Sequence, residues 1–412
     1  MQGNHSSNFE NSAKLQTFTF AFRSSLSDKL KLVFQCKEIL DCEDVLIEIF
    51  LELPLKDVLR LKCVSNQYRR IISDPLFGYL YYKNNPVTHS LSGFLLYHSC
   101  WPFNSRHNFV YLDQPHNLPR NPFGSLIDFD ENSGIHRIWS CNGLFCLWLA
   151  RHKIATCDFY ICNPTTYKSI KLPNLSRPSN SRILSMNIAF DPKMSPFYKV
   201  VCVWVHVQNY CFSVYSSESK MWRHTNASLD VKLNDTYLFK KGVFWNNSLH
   251  WISRNGPFLR FEIDNECFGT MPMTEILGKN QAKTRNIQYF GVSNNRLHLV
   301  ERHNGTDTSL EILELQEDYS RWISKFQIRL STMFRLPVGL NEHFKMMIHW
   351  VLRPHAGNSF GFVVSSSYST IWICIYNGAV HVKRLRLLHR GMDMSQFKWY
   401  RSHQFFKTLT AV

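Results

Sequence analysis

Along residues 41–76, DCEDVLIEIFLELPLKDVLRLKCVSNQYRRIISDPL, apolar side chains return at helical intervals. Val45, Leu46, Ile49, Phe50 and Leu53 keep the rhythm of one face of an amphipathic helix. Asp41 and Asp44 flank its start, where acidic groups suit the positive end of the helix dipole. Pro54 disfavours a helical residue before it and suits the first turn of a second helix, which would carry Leu55, Val58, Leu59 and Leu61. Ser65 is a candidate N-cap for a third short helix holding Tyr68, Ile71 and Ile72, stopped by Asp74-Pro75. Three helices in about 35 residues bury too little to stand comfortably alone, so apolar side chains are left looking for another surface.

The pattern then changes. Residues 77–100 read as leaving the helices and entering a strand-like run at Gly93-Phe94-Leu95-Leu96-Tyr97. The stretch 101–135, rich in Pro and Asn, reads as a long loop with one strand in it. Beyond it, β-rich runs flank polar turns centred near Asn163, Ser217, Asp264, Gln316 and Asn377, a period of about 50 residues. A second hairpin type, at Asn142-Gly143, Asn247-Ser248 and Asn295-Arg296, recurs in step with the first. About four strands per period predict propeller blades, about six of them over residues 90–405. One blade cannot cover both faces of its small sheet, so neighbours must pack on it, and closing the ring protects the edges. A β-sandwich with irregular insertions is the alternative. The expected fold class is thus α+β and multidomain. A loosely attached or disordered arm over 1–37 precedes a small three-helix domain over 38–85, followed by the large all-β, propeller-like domain.

Both halves resemble a known family. The spacing Asp44-Val45-Leu46-Ile47-Glu48-Ile49, Leu53-Pro54-Leu55, Leu59, Cys63-Val64, Tyr68-Arg69 and Ile72-Ser73-Asp74-Pro75 resembles an F-box. It departs from the family pattern at Asp41-Cys42 (usually Leu-Pro), Ser65-Asn66-Gln67 (usually Ser-Lys-Ser) and Tyr68 (usually Trp). Downstream, Asn142-Gly143-Leu144, Cys162-Asn163-Pro164-Thr165-Thr166, Phe190-Asp191-Pro192, Trp222-Arg223 and Gly242-Val243-Phe244-Trp245 are similar to the F-box-associated domain of plant proteins. The resemblance implies a non-catalytic substrate receptor of a Skp–cullin–F-box ubiquitin ligase, in the cytoplasm or nucleus. Leu46, Ile49, Phe50, Leu53, Pro54, Leu55, Leu59, Val64 and Tyr68 would dock on a Skp-type adaptor, and through it on cullin. The β-domain would hold an unknown target protein, and a lectin-like domain reading sugars on targets is a variant of this reading.

Composition adds a sign of charge. Lys and Arg number 47 against 31 acids, a net charge of +16, which favours an acidic target. The densest basic run, His381–Arg390, interleaves charges with apolar residues as on the solvent face of a strand, so nucleic acid is disfavoured as a partner. A basic propeller scaffold outside any ligase, binding nucleic acid or an acidic protein, is the alternative function. The 31 Phe, 17 Tyr and 11 Trp suit a sheet-rich chain, and no apolar run reaches the length of a membrane helix.

No motif for a metal, a cofactor or a catalytic constellation stands out. The 12 cysteines form no CxxC pair; Cys141/Cys146 and Cys157/Cys162, five apart, read as buried free thiols on opposite faces of strands. One GxSxG string, Gly357–Gly361, is followed by the strand-like Phe362-Val363-Val364, where a nucleophile elbow needs a helix. His250 and His298 recur at equivalent repeat positions and read as structural. Trp204, Trp222, Trp245 and Trp251 read as packing residues, and Asp191-Pro192 as a turn.

Overall fold

The computed structural model describes residues 42–85, 91–100, 104–111, 123, 133–151, 154–207, 209–227, 229, 238–253, 256–274, 286–303, 309–329, 346–352, 360–366, 371–376, 380–385 and 401–412. The chain divides into two units, residues 1–85 and 86–412. The expected N-terminal arm lies outside the described residues.

The first unit holds four helices among its described residues: α1 (Glu43–Leu51), α2 (Leu55–Leu61), α3 (Asn66–Ser73) and α4 (Pro75–Asn84). Three match the sequence reading. The Ser65 hydroxyl accepts the Tyr68 N–H at 3.1 Å, satisfying one of the open donors of α3. The fourth helix corrects the expectation that 77–84 leaves the helices. Asp74-Pro75 does end α3, but the same pair starts α4: the Asp74 carboxylate accepts the Leu76 N–H at 2.7 Å and Pro75 occupies the first helical position.

The second unit is all β. Its strands are β1 (Leu91–Cys100), β2 (Asn104–Tyr111), β3 (Ser133–Cys141), β4 (Leu144–Arg151), β5 (Ile154–Asn163) and β6 (Lys168–Lys171). There follow β7 (Arg182–Ala189), β8 (Lys199–His206), β9 (Asn209–Ser216), β10 (Met221–His224), β11 (Val243–Trp245), β12 (Ser248–Trp251), β13 (Phe258–Glu262) and β14 (Cys267–Met271). The last are β15 (Ile287–Ser293), β16 (Arg296–His303), β17 (Ser309–Leu315), β18 (Trp322–Arg329), β19 (Met346–Leu352), β20 (Phe360–Ser366), β21 (Ile371–Tyr376), β22 (Val380–Leu385) and β23 (Ser402–Phe406).

Five antiparallel four-stranded sheets run β3–β6, β7–β10, β11–β14, β15–β18 and β19–β22, each in simple meander order. A further sheet joins β2, β1 and β23, so that β23 pairs with β1 from the far end of the chain, Leu95 opposite His403. The leading strands touch in turn, β23 with β3, β3 with β7, β7 with β11, β11 with β15, β15 with β19 and β19 with β23. That circuit closes a ring of six sheets among the described residues, the propeller that the period of about 50 residues predicts.

The cores lie between sheets. Trp139, Leu144 and Ile161 of one sheet pack on Ile188, Tyr198, Val200 and Tyr215 of the next. Phe212 and Val201 likewise meet Trp251 and Phe261, and Trp245 and Phe258 meet Phe290 and Leu299. Each of these cores, among the described residues, is shared by two sheets, which is why the sheets need one another.

The expected turns near Asn163, Ser217, Asp264 and Gln316 fall where the repeat puts them, and the one near Asn377 lies outside the described residues. Residues 142–143, 246–247 and 294–295 link the first two strands of their sheets, and 164–167, 217–220, 263–266 and 316–321 link the last two. Asn142, Asn246, Asn247, Asn294 and Asn295 all have φ between 44° and 54°, a region that asparagine tolerates better than most side chains. One detail differs: Cys141 and Cys146 sit on two strands of a hairpin, not one strand, because Asn142-Gly143 turns the chain between them. Cys146, Cys162 and Cys202 are buried free thiols, and burial pushes Cys141 up to about 12, far from the reactive thiolate. Gly357–Ser359 lies outside the described residues, and Phe360 begins β20, a strand.

Candidate adaptor-docking site

The nine residues expected to dock separate into two groups. Leu46, Ile49, Phe50, Leu53 and Tyr68 are buried. They form the core of the helical unit: the Phe50 and Tyr68 rings meet edge to face at 4.9 Å, and the Tyr81 hydroxyl of α4 donates to the Leu53 carbonyl at 2.8 Å. Leu51, Val58, Ile71, Ile72, Phe77 and Tyr81 are buried with them. Asn85 donates to the Leu51 carbonyl at 2.7 Å and so ties the end of α4 to the end of α1.

Pro54 and Val64 are exposed and Leu55 and Leu59 half-buried. Pro54 caps α2 from outside, its carbonyl accepting the Asp57 and Val58 N–H groups at 2.8 and 3.1 Å. Its fixed φ turns the chain sharply after α1 and leads into the two-turn helix that carries the half-buried Leu55 and Leu59. Val64 follows in the turn after α2 and is 59% exposed, large for a branched apolar side chain. Leu76 on α4, 55% exposed, was missed by the sequence reading because its segment was not read as a helix. The Glu43–Arg70 ion pair, 2.8 Å, bridges α1 and α3 in the open and adds at most about 1 kcal/mol.

In the β unit, the described residues that were weighed for chemistry make packing and hydrogen-bond contacts. His250, buried on β12, holds the Val243 carbonyl at 3.1 Å and the Tyr319 hydroxyl at 3.0 Å. Burial pushes its imidazole down to about 3. His298, at the matching position of β16, is buried 3.5 Å from the Glu314 carboxylate. Trp204, Trp245 and Trp251 lie in three separate cores, and the half-buried Trp222 donates to the Pro173 carbonyl at 2.7 Å. The Asp191 carboxylate accepts the Lys193 N–H at 2.9 Å, a turn-stabilising bond.

Near the ring axis, Lys241 leads into β11 and donates from Nζ to the Ser402 carbonyl of β23 at 2.7 Å. The two strands belong to opposite members of the six-sheet ring, so this side chain spans the axis. Burial pushes its ammonium down to about 7, and its charge adds to the burial that pushes His349 and His403 down. Among the described residues, no cluster of three or more His, Cys, Asp or Glu could hold a metal, and no helix is long and apolar enough to cross a membrane.

An F-box domain model matches residues 42–80, the helical unit. A model of the F-box associated beta propeller domain matches residues 97–407. An Arabidopsis thaliana relative, F-box protein At5g07610, is 26% identical over 90% of this chain and 92% of its own length. F-box protein At1g47810 of the same plant is 25% identical over 72% of this chain and 90% of its own. Among solved structures, the beta-propeller domain of the Trilobed protease from Pyrococcus furiosus aligns with 69% of this chain and 72% of its own, at 11% identity and a TM-score of 0.32. The two matches fall on the helical unit and on the ring of sheets in turn, and the chain belongs to the plant F-box proteins with an F-box associated beta-propeller domain.

Proposed function

We propose that this chain is the target-recognition subunit of a Skp–cullin–F-box ubiquitin ligase, working in the cytoplasm or nucleus. The observation that carries it is the division within the helical unit. One set of apolar residues makes a core, while a second, Pro54, Leu55, Leu59 and Val64, stays at the surface of an F-box. These four, not the buried five, would meet the Skp-type adaptor, and the buried five would hold them in place. Burying a Leu or Val side chain contributes roughly 1.5–3 kcal/mol, so a few such anchors support a stable complex.

The role is not catalytic. The propeller holds a target so that its lysines reach the ubiquitin-loaded enzyme on the cullin scaffold, raising an effective concentration. The test is co-purification with a Skp adaptor, wild type beside Leu55→Asp/Val64→Asp. Capture by wild type and loss in a variant with an unchanged melting temperature supports the reading; a wild type that captures nothing sinks it. The net charge of +16 keeps a second reading alive, a basic scaffold outside any ligase. That reading expects no adaptor, and binding to an acidic polymer that weakens steeply with salt.

A further inference from the structure

The turns between first and second strands and those between third and fourth share one end of each meander sheet, and cross-links show that these ends lie on one face of the ring. Asn142 donates to the Phe190 carbonyl of the next sheet at 2.7 Å, Lys199 reaches Asp264 of the sheet after it at 3.0 Å, and Trp245 donates to the Asn295 carbonyl at 2.9 Å. On this face, the two neighbouring sheets β3–β6 and β7–β10 carry four large exposed apolar side chains. Met194 is 79% exposed, Met221 66%, Tyr167 54% and Phe197 37%. Elsewhere in the β unit the described residues show two, Val207 and Met273, both near the opposite ends of their sheets.

These four do not result from loose loops. Tyr167 closes a turn anchored by Asn163, whose carboxamide accepts the Thr165 N–H at 2.9 Å. The segment carrying Met194 and Phe197 is held by Asp191, by Ser195 accepting the Phe197 N–H at 3.0 Å, and by Ser217 accepting the Tyr198 N–H at 2.9 Å. A rigid scaffold therefore presents apolar groups to solvent, at a cost in surface free energy that a binding role explains. Interleaved with them are the exposed lysines Lys168, Lys193 and Lys220, none in an ion pair among the described residues, with Glu218 as the exposed acid nearby. Neighbouring lysines are balanced already: Lys199 by Asp264 and Lys171 by Asp158.

We propose that this two-sheet turn face is where the target docks, and that it takes an acidic segment bearing aliphatic or aromatic side chains. The methionines and aromatics would bury those side chains, methionine adapting its shape to them, while the three lysines meet the carboxylates. This rests on the receptor reading above, of which it names the surface and the chemistry of the partner.

The test is selection of a random-peptide display library on the full chain, read by sequencing. The expected pool is enriched in Asp and Glu together with Leu, Phe or Met. Recovery of that pool falls by about tenfold or more on Lys193→Glu/Lys220→Glu and on Met194→Ser/Phe197→Ser, and holds on the opposite-face control Val207→Ser. Melting temperatures show that each variant is folded. No enrichment, a pool without acids, or a pool that persists on both double variants overturns the proposal. So does an oligo-uridylate probe that binds through the lysines but ignores the Met194 and Phe197 changes, which would make the face a nucleic-acid surface. Adaptor capture, run on the same proteins, separates the two ideas. Capture without peptide selection removes this surface and leaves the receptor; selection without capture does the reverse.

Discussion

Asn163 offers the sharpest test of how the ring is closed. Its side chain is fully buried at the end of β5 and makes three bonds at once. Nδ2 donates to the carbonyls of Thr408 at 3.0 Å and Thr410 at 2.8 Å, and Oδ1 accepts the Thr165 N–H at 2.9 Å. A fourth bond, from the Thr408 N–H to the Thr165 hydroxyl at 3.2 Å, fixes the same tail. Asn163→Ala leaves two carbonyls and one N–H buried without these partners. At the lower end of the range for an unsatisfied buried group, about 1 kcal/mol each, the loss is about 3 kcal/mol. The β unit spans residues 86–412. With an unfolding entropy of about 2.1 cal/mol/K per residue, that loss lowers its melting temperature by about 4–5 °C. Asn163→Asp should cost more than Ala, since a carboxylate would face two carbonyl oxygens. Thermal melting by circular dichroism reads the first effect, and hydrogen exchange at the β23 amides shows whether opening begins there. Removing residues 407–412 abolishes the bonds to Thr408 and Thr410 but not the one to Thr165, so in that background Asn163→Ala should cost only about 1 kcal/mol more. A melting temperature within 1 °C of wild type (an assay threshold of about the usual error), or costs that simply add, would refute the latch.

Gly143 sits at φ +90°, and a Cβ there would meet the Phe406 carbonyl oxygen at 2.4 Å and Thr408 Cγ2 at 2.7 Å; Gly143→Ala should lower the melting temperature by at least as much as Asn163→Ala. Burial pushes His250 and His349 down to about 3 and His403 lower than its usual range, while in the unfolded chain each titrates near 6.5. The unfolded chain therefore binds protons that the folded chain refuses, and stability falls as pH drops below 6.5, by about 2 kcal/mol per histidine at pH 5; a melting temperature flat from pH 7 to 5 would count against it. Lys241 follows the same sign higher up: with its folded value near 7 against 10.5, stability rises with pH between the two, and Lys241→Met should remove that rise in a pH series of melts. In the helical unit, Leu46→Ala should cost about 2–5 kcal/mol and loosen the fold itself, whereas Val64→Asp should leave melting unchanged and act on adaptor capture alone.

What could be read from the sequence was what local chemistry decides. Ser65 announces α3 because a hydroxyl beside three free N–H groups has a local use, and the paired asparagines mark turns because few other residues accept a positive φ. The fourth helix was hidden by a signal with two meanings. Asp74-Pro75 both stops a helix and starts one, and PLFGYLYYKN is aromatic enough to pass for a strand. The residues proposed to dock could be named as a set but not sorted into buried and exposed. Periodicity says which positions share a face; it does not say which face another helix covers, and α4 is what covers Leu53. β23 was harder still, since its partner Leu91–Leu96 lies some 300 residues earlier and no local pattern names it. The exposed face with Met194 and Met221 needed the ring before its two sheets could be seen as neighbours.

The strand that completes the first sheet is also the one synthesised after all the others described. During translation, β1 and β2 emerge early and wait through about 290 residues, from Tyr111 to Ser402, with one edge open, while the sheets behind them fold one by one. Only when Ser402–Phe406 has left the ribosome, and Thr408 and Thr410 can reach Asn163, does the ring acquire its last edge and its latch. A message cut short between the helical unit and that point yields a chain with its helices entire and its propeller open. Such a product would carry the helical F-box unit without a closed ring, so closure of the propeller waits on Ser402–Phe406, Thr408 and Thr410.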